Sequence, residues 1–168
     1  MKNAANDADS DPQQYQRKET VERSTKVQDF QIRVKVFQAS NLDGNNLNPM
    51  CRIKCSNIQK NTKTKNSTNS PYWDEVFFFN FNSSPSELFN EFIEFEVFDA
   101  SSMLRNALIG SFKLDIGYIA DEPFHSLLCK WLLLADSEDA ASGAKGYLKV
   151  TINVLGPGDE VPVIFVLV

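Results

Sequence analysis

Positively charged side chains are concentrated in one part of this 168-residue chain. Residues 31–65 carry seven Lys or Arg and a single acid, Asp43, for a net charge of +6. Residues 66–155 carry five basic and thirteen acidic side chains, for a net charge of −8. Ammonium and guanidinium groups that share a surface attract anions such as phosphate. The asymmetry therefore predicts a localised anion-binding surface rather than general affinity for nucleic acid.

Two pairs of these cations stand at alternate positions of two predicted strands, 50–55 and 62–65. Alternate residues of a strand point to the same side, so a hairpin of the two strands would collect both pairs on one face, with a fifth cation near its turn. Close to an anionic membrane, each would contribute about 1 kcal/mol. The alternative is an ordinary solvated sheet face, on which alternating Lys and Thr are common. The five residues are Arg52, Lys54, Lys60, Lys63 and Lys65.

A loop with one carboxylate follows the strand-like run 93–98. Asp99 stands at the edge of that strand, and small residues then lead to a tip formed by Met103, Leu104 and Arg105. Apolar and basic residues together suit shallow insertion among lipid headgroups, with Arg105 near a phosphate. The alternative is a solvent-exposed loop whose Met and Leu have no function.

Residue types that carry catalysis or bind transition metals are sparse. His125 is the single histidine and has no evident Ser or Cys partner motif, and GAKG at 143–146 is not a phosphate-binding loop. The three cysteines fit no zinc spacing, and Cys51 and Cys55 would lie about 13 Å apart on a strand, too far for a disulfide. We therefore expect no enzyme and no cofactor, with buried, reduced cysteines. A reactive thiol at Cys129 is the alternative.

Hydrophobic alternation with a period of two indicates the elements that must position these side chains. Turn-forming residues separate the alternating runs. One short helix is signalled at 84–89, where Ser84 suits the N-cap, Pro85 suits the first turn and Glu87 can reach back to the cap. The pattern predicts an all-β, eight-stranded antiparallel β-sandwich with long loops. The strands are expected at 30–36, 50–55, 62–65, 76–81, 93–98, 107–115, 131–134 and 147–154.

The organisation of the chain is predicted to be one domain between two tails. Residues 1–28 are expected to form a disordered polar tail, 29–156 the folded domain and 157–168 a C-terminal tail. The start of the chain has no apolar signal region, and the closing VPVIFVLV is far below the roughly 20 residues that a bilayer span needs. A cytoplasmic protein is therefore expected.

The stretch TKTKNSTNSPYWDEVFFFNF, at 62–81, resembles the signature of C2 domains. In that signature a basic strand leads to Asn-x-Pro-x-aromatic-x-Glu and an alternating Phe strand, and here Asp74 stands where Asn is usual. FQIRVKVFQASNL, at 30–42, resembles the strand that delivers the first calcium loop, and NALIG, at 106–110, resembles the exit from the third. Because the first clear strand leads straight into loop 1, the circularly permuted type II arrangement is expected.

The closing part of the chain is similar to the second C2 domain of ferlins, large multi-C2 proteins of membrane fusion and repair. The resemblance implies a peripheral module that binds anionic phospholipids or phosphoinositides in fusion, trafficking or repair, since related C2 domains bind phosphoinositides at a basic face built from the second and third strands. It also implies a position at the membrane periphery, with a full-length ferlin anchored in the membrane. The stretches that carry it are IGYIADEP, KWLLLADSEDAASGAKGYLKV and VLGPGDE.

The same resemblance implies a loss of calcium binding. Calcium-binding C2 domains supply five aspartates from loops 1 and 3, and the ion needs six to eight oxygen ligands. Here Asn48, Ser101 and Ala107 fall on positions of that set, loop 1 is shortened around Asp43, and Asp99 alone matches a carboxylate. We therefore expect no metal, with Asp99 as a residual calcium-loop position.

A second class of function stays open at this stage. C2 folds that lose their calcium ligands can become scaffolds, and the acidic region 66–155 offers a surface to other protein domains with basic character. No nucleic-acid partner is expected, because basic motifs interleaved with aromatic residues are missing from the sequence.

Overall fold

Eight β-strands account for most of the described residues of this computed structural model, which are 22–101 and 107–163. The loop tip Met103, Leu104 and Arg105 lies outside the described residues. The strands are β1 (Gln28–Ser40), β2 (Pro49–Cys55), β3 (Ile58–Asn61), β4 (Tyr72–Ser83), β5 (Phe92–Asp99), β6 (Ala107–Asp115), β7 (Ser126–Ala135) and β8 (Ala144–Leu155). The helices are α1 (Pro85–Leu88), α2 (Ile116–Asp121) and single 3-10 turns at Pro123–His125 and Ala140–Ser142.

The strands follow the order β3-β2-β5-β6-β7-β8-β1-β4, and every neighbouring pair is antiparallel. The link between β6 and β7 is a single residue pair, Ser111 with Ala135. The strands therefore divide into sheet A (β3-β2-β5-β6) and sheet B (β7-β8-β1-β4). The predicted all-β antiparallel sandwich is confirmed. The chain enters its first loop directly from β1, and the last strand pairs with β1, as the type II arrangement requires.

The core lies between the two sheets and is filled by alternate residues of each strand. Ile32, Val34 and Val36 of β1 are fully buried, and so are alternate residues of β8 such as Val150 and Ile152. Alternate side chains of a strand point to one face, so each strand delivers one apolar row inward and one polar row outward. Each large side chain buried in this way stabilises the fold by roughly 1.5–3 kcal/mol. The inward rows thus decide which residues face solvent.

The third strand lies earlier in the chain than its predicted place at 62–65. β2 and β3 form a hairpin in which Cys55 pairs with Ile58, so the turn closes at Ser56 and the strand ends at Asn61. Thr62 then turns into the interior, where its hydroxyl accepts a hydrogen bond from the Cys51 N–H at 2.9 Å. This side-chain bond replaces one of the two backbone hydrogen bonds of a regular Cys51–Thr62 pair, and β3 ends here.

The helices differ from the prediction of a single short one. α1 begins after Ser84 with Pro85 in its first turn, as expected, but the Glu87 carboxylate accepts from the Ser83 hydroxyl at 3.2 Å instead of reaching the cap. The unpredicted α2 follows β6 without a loop, because the Asp115 carboxylate accepts from the Gly117 N–H at 2.9 Å and caps it.

The described end of the predicted polar tail contacts the sandwich. Arg23 Nη2 lies 2.8 Å from an Asp121 carboxylate oxygen, and its guanidinium lies 4.7 Å from the centroid of the Phe89 ring. The Ser86 N–H donates to the Ser24 carbonyl at 3.1 Å. These contacts attach Arg23 and Ser24 to the domain, and the predicted bounds 29–156 and 157–168 stay a prediction. Among the described residues, no helix has the length and apolar character to cross a membrane.

Candidate functional site

The outward side chains of sheet A form a surface, here called outer face A, on which the predicted cations can be located. Arg52 and Lys54 alternate with buried residues of β2 and point outward, as expected. In the neighbouring strand β5, Arg52 stands opposite Glu96 and Lys54 opposite Glu94. Two carboxylates therefore lie directly beside the two strand cations, on a face that the sequence predicted to be basic.

Glu96 joins both strand cations. Its Oε1 lies 2.7 Å from Lys54 Nζ and its Oε2 lies 3.7 Å from Arg52 Nη1. The Glu96 side chain is only 12% exposed, and the Arg52 guanidinium also lies 4.6 Å from the centroid of the Phe98 ring. One carboxylate thus offsets part of the charge of two cations. The sequence did not reveal this pairing because the register between β2 and β5 is non-local.

The other predicted pair of cations follows β3 and stays close to β2. The Thr62 N–H donates to the Cys51 carbonyl at 2.8 Å, and the Lys65 N–H donates to the Pro49 carbonyl at 3.0 Å. Lys63 is exposed and Lys65 is half-buried. Neither ammonium group forms an ion pair with any described residue. They thus differ from Arg52 and Lys54, which both pair with Glu96.

The backbone of Lys63 is held on the side that faces β4. Its N–H donates to Glu75 Oε2 at 3.0 Å, and its carbonyl accepts from Trp73 Nε1 at 2.8 Å. Trp73 is 5% exposed, so it anchors this segment from within the core. The backbone position of Lys63 thus depends on a buried aromatic residue of the Asn-x-Pro-x-aromatic stretch.

Lys60 does not share outer face A with the other cations. It stands opposite Ile53, whose side chain faces the core, so it leaves β3 on the side away from Arg52 and Lys54. Its Nζ donates to the Phe78 carbonyl and lies 5.2 Å from the centroid of the Phe79 ring. The sequence expected Lys60 near the hairpin turn beside the other cations; because the turn lies earlier, at Ser56, Lys60 is on the other side of β3, and its contact with lipid stays a prediction.

The residual calcium-loop position is occupied by contacts within the protein. Asp99 Oδ1 accepts from the Asn48 N–H at 2.9 Å, from the Ser101 N–H at 3.1 Å and from the Ser101 hydroxyl. These hydrogen bonds hold the Asp99 pKa below its usual value. The bond from the Ser101 hydroxyl has the largest effect, and the bond from the Asn48 N–H has the second largest. The bonds favour the charged form of the Asp99 carboxylate. Through them Asp99 connects Asn48 of loop 1 to Ser101 of loop 3.

The two loop 1 residues at this end of the sandwich also have partners. The Asn48 side-chain oxygen accepts from the Ser67 N–H at 2.8 Å, and Asp43 Oδ2 lies 3.4 Å from Lys145 Nζ. Ala107 opens β6 opposite Asp99 and offers no ligand atom on its side chain. Within the described ranges, no group of three His, Cys, Asp or Glu side chains could hold a metal ion.

Two of the three cysteines lie in the core, whereas Cys129 and the histidine do not. Cys51 and Cys55 are buried and unbridged, as expected, and burial raises the Cys55 thiol pKa to about 12. Cys129 is exposed, so its predicted burial is wrong; it lies where the pairing of β7 with β8 is irregular. His125 Nδ1 lies 2.6 Å from the Ala120 carbonyl oxygen, and its Nε2 lies 3.9 Å from an Asp159 oxygen.

The sequence matches two known domain families. Residues 30–134 match the C2 domain family, and residues 135–165 match the FerI (NUC094) domain. The chain belongs to the C2 domain family. Because the FerI match adjoins it and the sequence relatives are myoferlins, it is a C2 domain of the ferlin type.

The sequence relatives are much longer than this chain. It is 49% identical to myoferlin of Xenopus tropicalis over 140 residues and 47% identical to myoferlin of Homo sapiens over 139 residues. Each match covers 83% of this chain and 7% of the relative. The chain therefore spans about 7% of the length of these curated relatives.

Solved structures agree with the fold. A structure of two adjacent C2 domains of extended synaptotagmin 2 matches with a TM-score of 0.63 and 21% identity, over 76% of this chain and 39% of that one. The calcium-bound form of the same domains matches with the same TM-score over 43% of its chain. At this identity the likeness shows the fold alone.

The boundary between the two family matches falls inside the sandwich. The FerI match begins at Ala135, the last residue of β7, and it contains all of β8. β8 pairs with β7 on one side and with β1 on the other. The FerI-matched segment therefore supplies an internal strand of sheet B, and the C2-matched residues alone supply seven strands.

Proposed function

We propose that this domain binds anionic phospholipid membranes at their surface, without catalysis and without calcium, and serves a ferlin-like protein in membrane fusion, vesicle trafficking or repair. The observation that carries the proposal is the position of Lys63 and Lys65. Their ammonium groups have no ion-pair partner among the described residues, and the segment that carries them runs beside β2, the strand of Arg52 and Lys54. Unpaired cations suit a negatively charged surface.

The four cations are not equivalent in this proposal. Glu96 already offsets part of the charge of Arg52 and Lys54, so phosphate must compete with a carboxylate that lies 2.7 Å from Lys54. No described carboxylate forms an ion pair with the Lys63 or Lys65 ammonium group, and each is expected to contribute about 1 kcal/mol near an anionic bilayer. The attraction weakens with salt, because the Debye length falls from about 10 Å at 0.1 M to about 3 Å at 1 M.

The calcium-independent part of the proposal rests on the partners of Asp99, Asn48 and Asp43. Calcium needs six to eight oxygen ligands, with several carboxylates to offset its charge. Asp99 accepts from Asn48 and Ser101, and Asp43 lies 3.4 Å from the Lys145 ammonium. A calcium ion at this end of the sandwich would have to break these contacts while gaining few carboxylates.

Co-sedimentation with vesicles tests the proposal. The wild type is compared with Lys63→Ala/Lys65→Ala on vesicles of phosphatidylcholine alone, with phosphatidylserine and with a phosphoinositide, each with chelator and with calcium. The double variant should bind the anionic vesicles roughly thirtyfold more weakly, since two lysines are worth about 2 kcal/mol. Folding should hardly change, because exposed side chains contribute little to stability.

The matched control removes two positive charges elsewhere, at Lys26, which is exposed, and at Lys145, which is paired with Asp43. Lys26→Ala/Lys145→Ala should bind within about threefold of the wild type, because its two lysines lie off outer face A. Equal affinity of the wild type and Lys63→Ala/Lys65→Ala would reject outer face A as the membrane site. Absence of binding to every anionic vesicle would favour the scaffold function instead.

A further inference from the structure

A second surface that combines cations with aromatic rings lies on the opposite side of the sandwich. It consists of outward side chains of sheet B and is called outer face B. Its centre is Phe37, whose ring centroid lies 4.7 Å from Lys35 Nζ and 5.6 Å from Lys149 Nζ. Lys149 Nζ also lies 5.8 Å from the Trp131 ring. Two ammonium groups and two aromatic rings thus alternate across β1, β8 and β7.

A β-bulge places Phe37 at this centre. The pairing of β1 shifts between Val36 and Gln38 against both of its neighbours, β4 and β8, so Phe37 has no partner in either ladder. Phe37 and Gln38 are both half-buried, and Ala39 returns to the core at 1% exposure. A bulge inserts one extra residue and redirects the side chains beside it. Here it leaves two successive side chains of β1 outside the core.

The apolar part of outer face B continues toward the edge strand β4. Phe78 is 44% exposed and Val76 is 48% exposed, and as alternate residues of β4 they lie on the same side of the strand. Arg33 stands opposite Phe78, with its guanidinium 5.5 Å from the ring centroid, and Lys35 stands opposite Val76. Each cation of β1 therefore has an exposed apolar neighbour on β4.

The charge of outer face B is positive although the chain has a net charge of −5. Its cations are Arg33, Lys35 and Lys149, against two carboxylates: Asp74, which pairs with Lys35 at 3.1 Å, and Asp29 near the start of β1, which accepts from Asn82 Nδ2 at 2.8 Å. Arg33 Nε donates to the Gln31 side-chain oxygen at 2.7 Å, which fixes the guanidinium without offsetting its charge. The face thus presents positive charge among exposed rings.

We propose that outer face B is a second contact surface for anionic bilayers. The Trp ring favours the headgroup level of a membrane, because its body is apolar and its N–H is polar, and Phe side chains suit the apolar side of the interface. Lys and Arg side chains can lay their apolar stems along such rings and direct their charges to phosphate. The charge complementarity, together with cations spread over β1 and β8, suits the plane of a bilayer.

The two outer faces of a sandwich point in opposite directions. If outer face A binds as proposed above, on which this consequence rests, one molecule contacts two bilayers at once and clusters vesicles. Outer face B itself does not depend on that proposal, because its residues lie in a different sheet. Variants of one face therefore test the proposal for that face without testing the proposal for the other.

Tryptophan fluorescence measures contact at outer face B directly. The chain has two tryptophans; Trp73 is 5% exposed and bonded to the Lys63 carbonyl, whereas Trp131 is half-buried on outer face B. Phosphatidylcholine–phosphatidylserine vesicles that carry a nitroxide near the headgroup should quench the emission of the wild type. Trp131→Phe, which removes the reporter, should lose this quenching.

Variants that remove lysines show which face makes the contact with the vesicle. Lys35→Ala/Lys149→Ala should lose most of the Trp131 quenching, and Lys63→Ala/Lys65→Ala should retain it at saturating vesicle concentration. Vesicle clustering, followed by light scattering, should require both pairs of lysines. Lys26→Ala, which removes an exposed lysine that precedes β1, serves as the charge control and should behave as the wild type does.

The outcomes separate this inference from the proposal for outer face A. Wild-type protein that co-sediments with anionic vesicles while Trp131 stays unquenched would overturn the inference and leave the proposal for outer face A intact. Binding lost in Lys35→Ala/Lys149→Ala alone would support outer face B and reject outer face A. Quenching that persists unchanged in Lys35→Ala/Lys149→Ala would also overturn the inference.

Discussion

Lys54 and Glu96 form the closest ion pair between described residues of outer face A, with 2.7 Å between Nζ and Oε1. The same carboxylate lies 3.7 Å from the Arg52 guanidinium. A face that was expected to attract anions through β2 therefore has a negative charge at its centre. The pair has two opposite effects, because it holds the cations in place and it also lowers the net charge that a membrane meets.

Replacing Glu96 by Gln should separate these effects. The substitution keeps the shape of the side chain and removes its charge, so affinity for phosphatidylserine vesicles should rise about fivefold, equivalent to about 1 kcal/mol. The free energy of unfolding should fall by about 1 kcal/mol, since two partly exposed cations lose an ionic partner. Co-sedimentation and urea denaturation measure the two quantities. Glu138→Gln, which removes a carboxylate from an exposed loop, is the control. Weaker binding of vesicles by Glu96→Gln would contradict the proposed competition between the Glu96 carboxylate and lipid phosphate.

Lys60 should be a structural residue and not a lipid ligand. β4 is the last strand of its sheet, and the Lys60 ammonium donates to the carbonyl of Phe78 on that strand. Charged lysines at an open edge oppose pairing with other chains. Lys60→Ala should therefore bind vesicles within about twofold of the wild type, and Lys63→Ala should bind about fivefold more weakly.

Light scattering gives the second measurement for this pair of variants. Lys60→Ala should aggregate on heating at a lower temperature than Lys63→Ala, because it uncovers an edge strand with exposed Val76 and Phe78. Equal loss of lipid binding in both variants would return Lys60 to the membrane site that the sequence predicted.

Local patterns were sufficient for the elements and for the direction of many side chains. Ile32, Val34 and Val36 alternate with polar residues in the sequence, and all three are fully buried. Arg52 and Lys54 were expected on one outward face of their strand, and they lie there. In each case the direction follows from neighbours along one strand, so no knowledge of the rest of the chain is needed.

Non-local pairing was beyond the reach of the sequence. A shift of one residue in register moves every side chain of a strand to the other face, and the early turn at Ser56 moved Lys60 to the core side of its hairpin. The partner of Lys54 lies 42 residues away, so the contact with Glu96 depends on the pairing of β2 with β5. The bulge at Phe37 was hidden for the same reason, because it exists only relative to neighbouring strands.

Calcium should have little effect on this domain. With Asp99 bonded to Asn48 and Ser101, and with Asp43 paired to Lys145, titration of calcium into chelator-treated protein should give no saturable heat. The melting temperature should be the same with calcium and with chelator. Saturable binding with a dissociation constant below about 100 μM, toward the range of sensor sites, would contradict this prediction.

The pH dependence of stability should contain a contribution from Asp99. Its pKa is lowered in the folded state by hydrogen bonds from the Ser101 hydroxyl and the Asn48 N–H. A group with a depressed folded pKa stabilises the fold above its unfolded value, about 3.9, and loses that contribution as the pH falls through the folded value. Asp99→Asn should therefore be less stable than the wild type near neutral pH, and the difference should vanish in strong acid. Urea denaturation of both proteins across this range measures it, and a difference that is independent of pH would contradict the assignment.

The FerI-matched segment should be required for folding of the C2 sandwich. β8 lies between β7 and β1 and contributes Leu148, Val150 and Ile152 to the core, each fully buried. A chain that ends at residue 134 lacks this internal strand, which leaves two strands with unpaired edges and exposes the apolar face of β1. It should show no cooperative unfolding transition by circular dichroism and should aggregate. A chain that ends at residue 160 is the matched control, because it keeps β8 and the hydrogen bond from the Gly156 N–H to Asp159. Cooperative unfolding of the shorter chain would show that the seven C2-matched strands suffice, and that the FerI segment only attaches to a sandwich that is already complete.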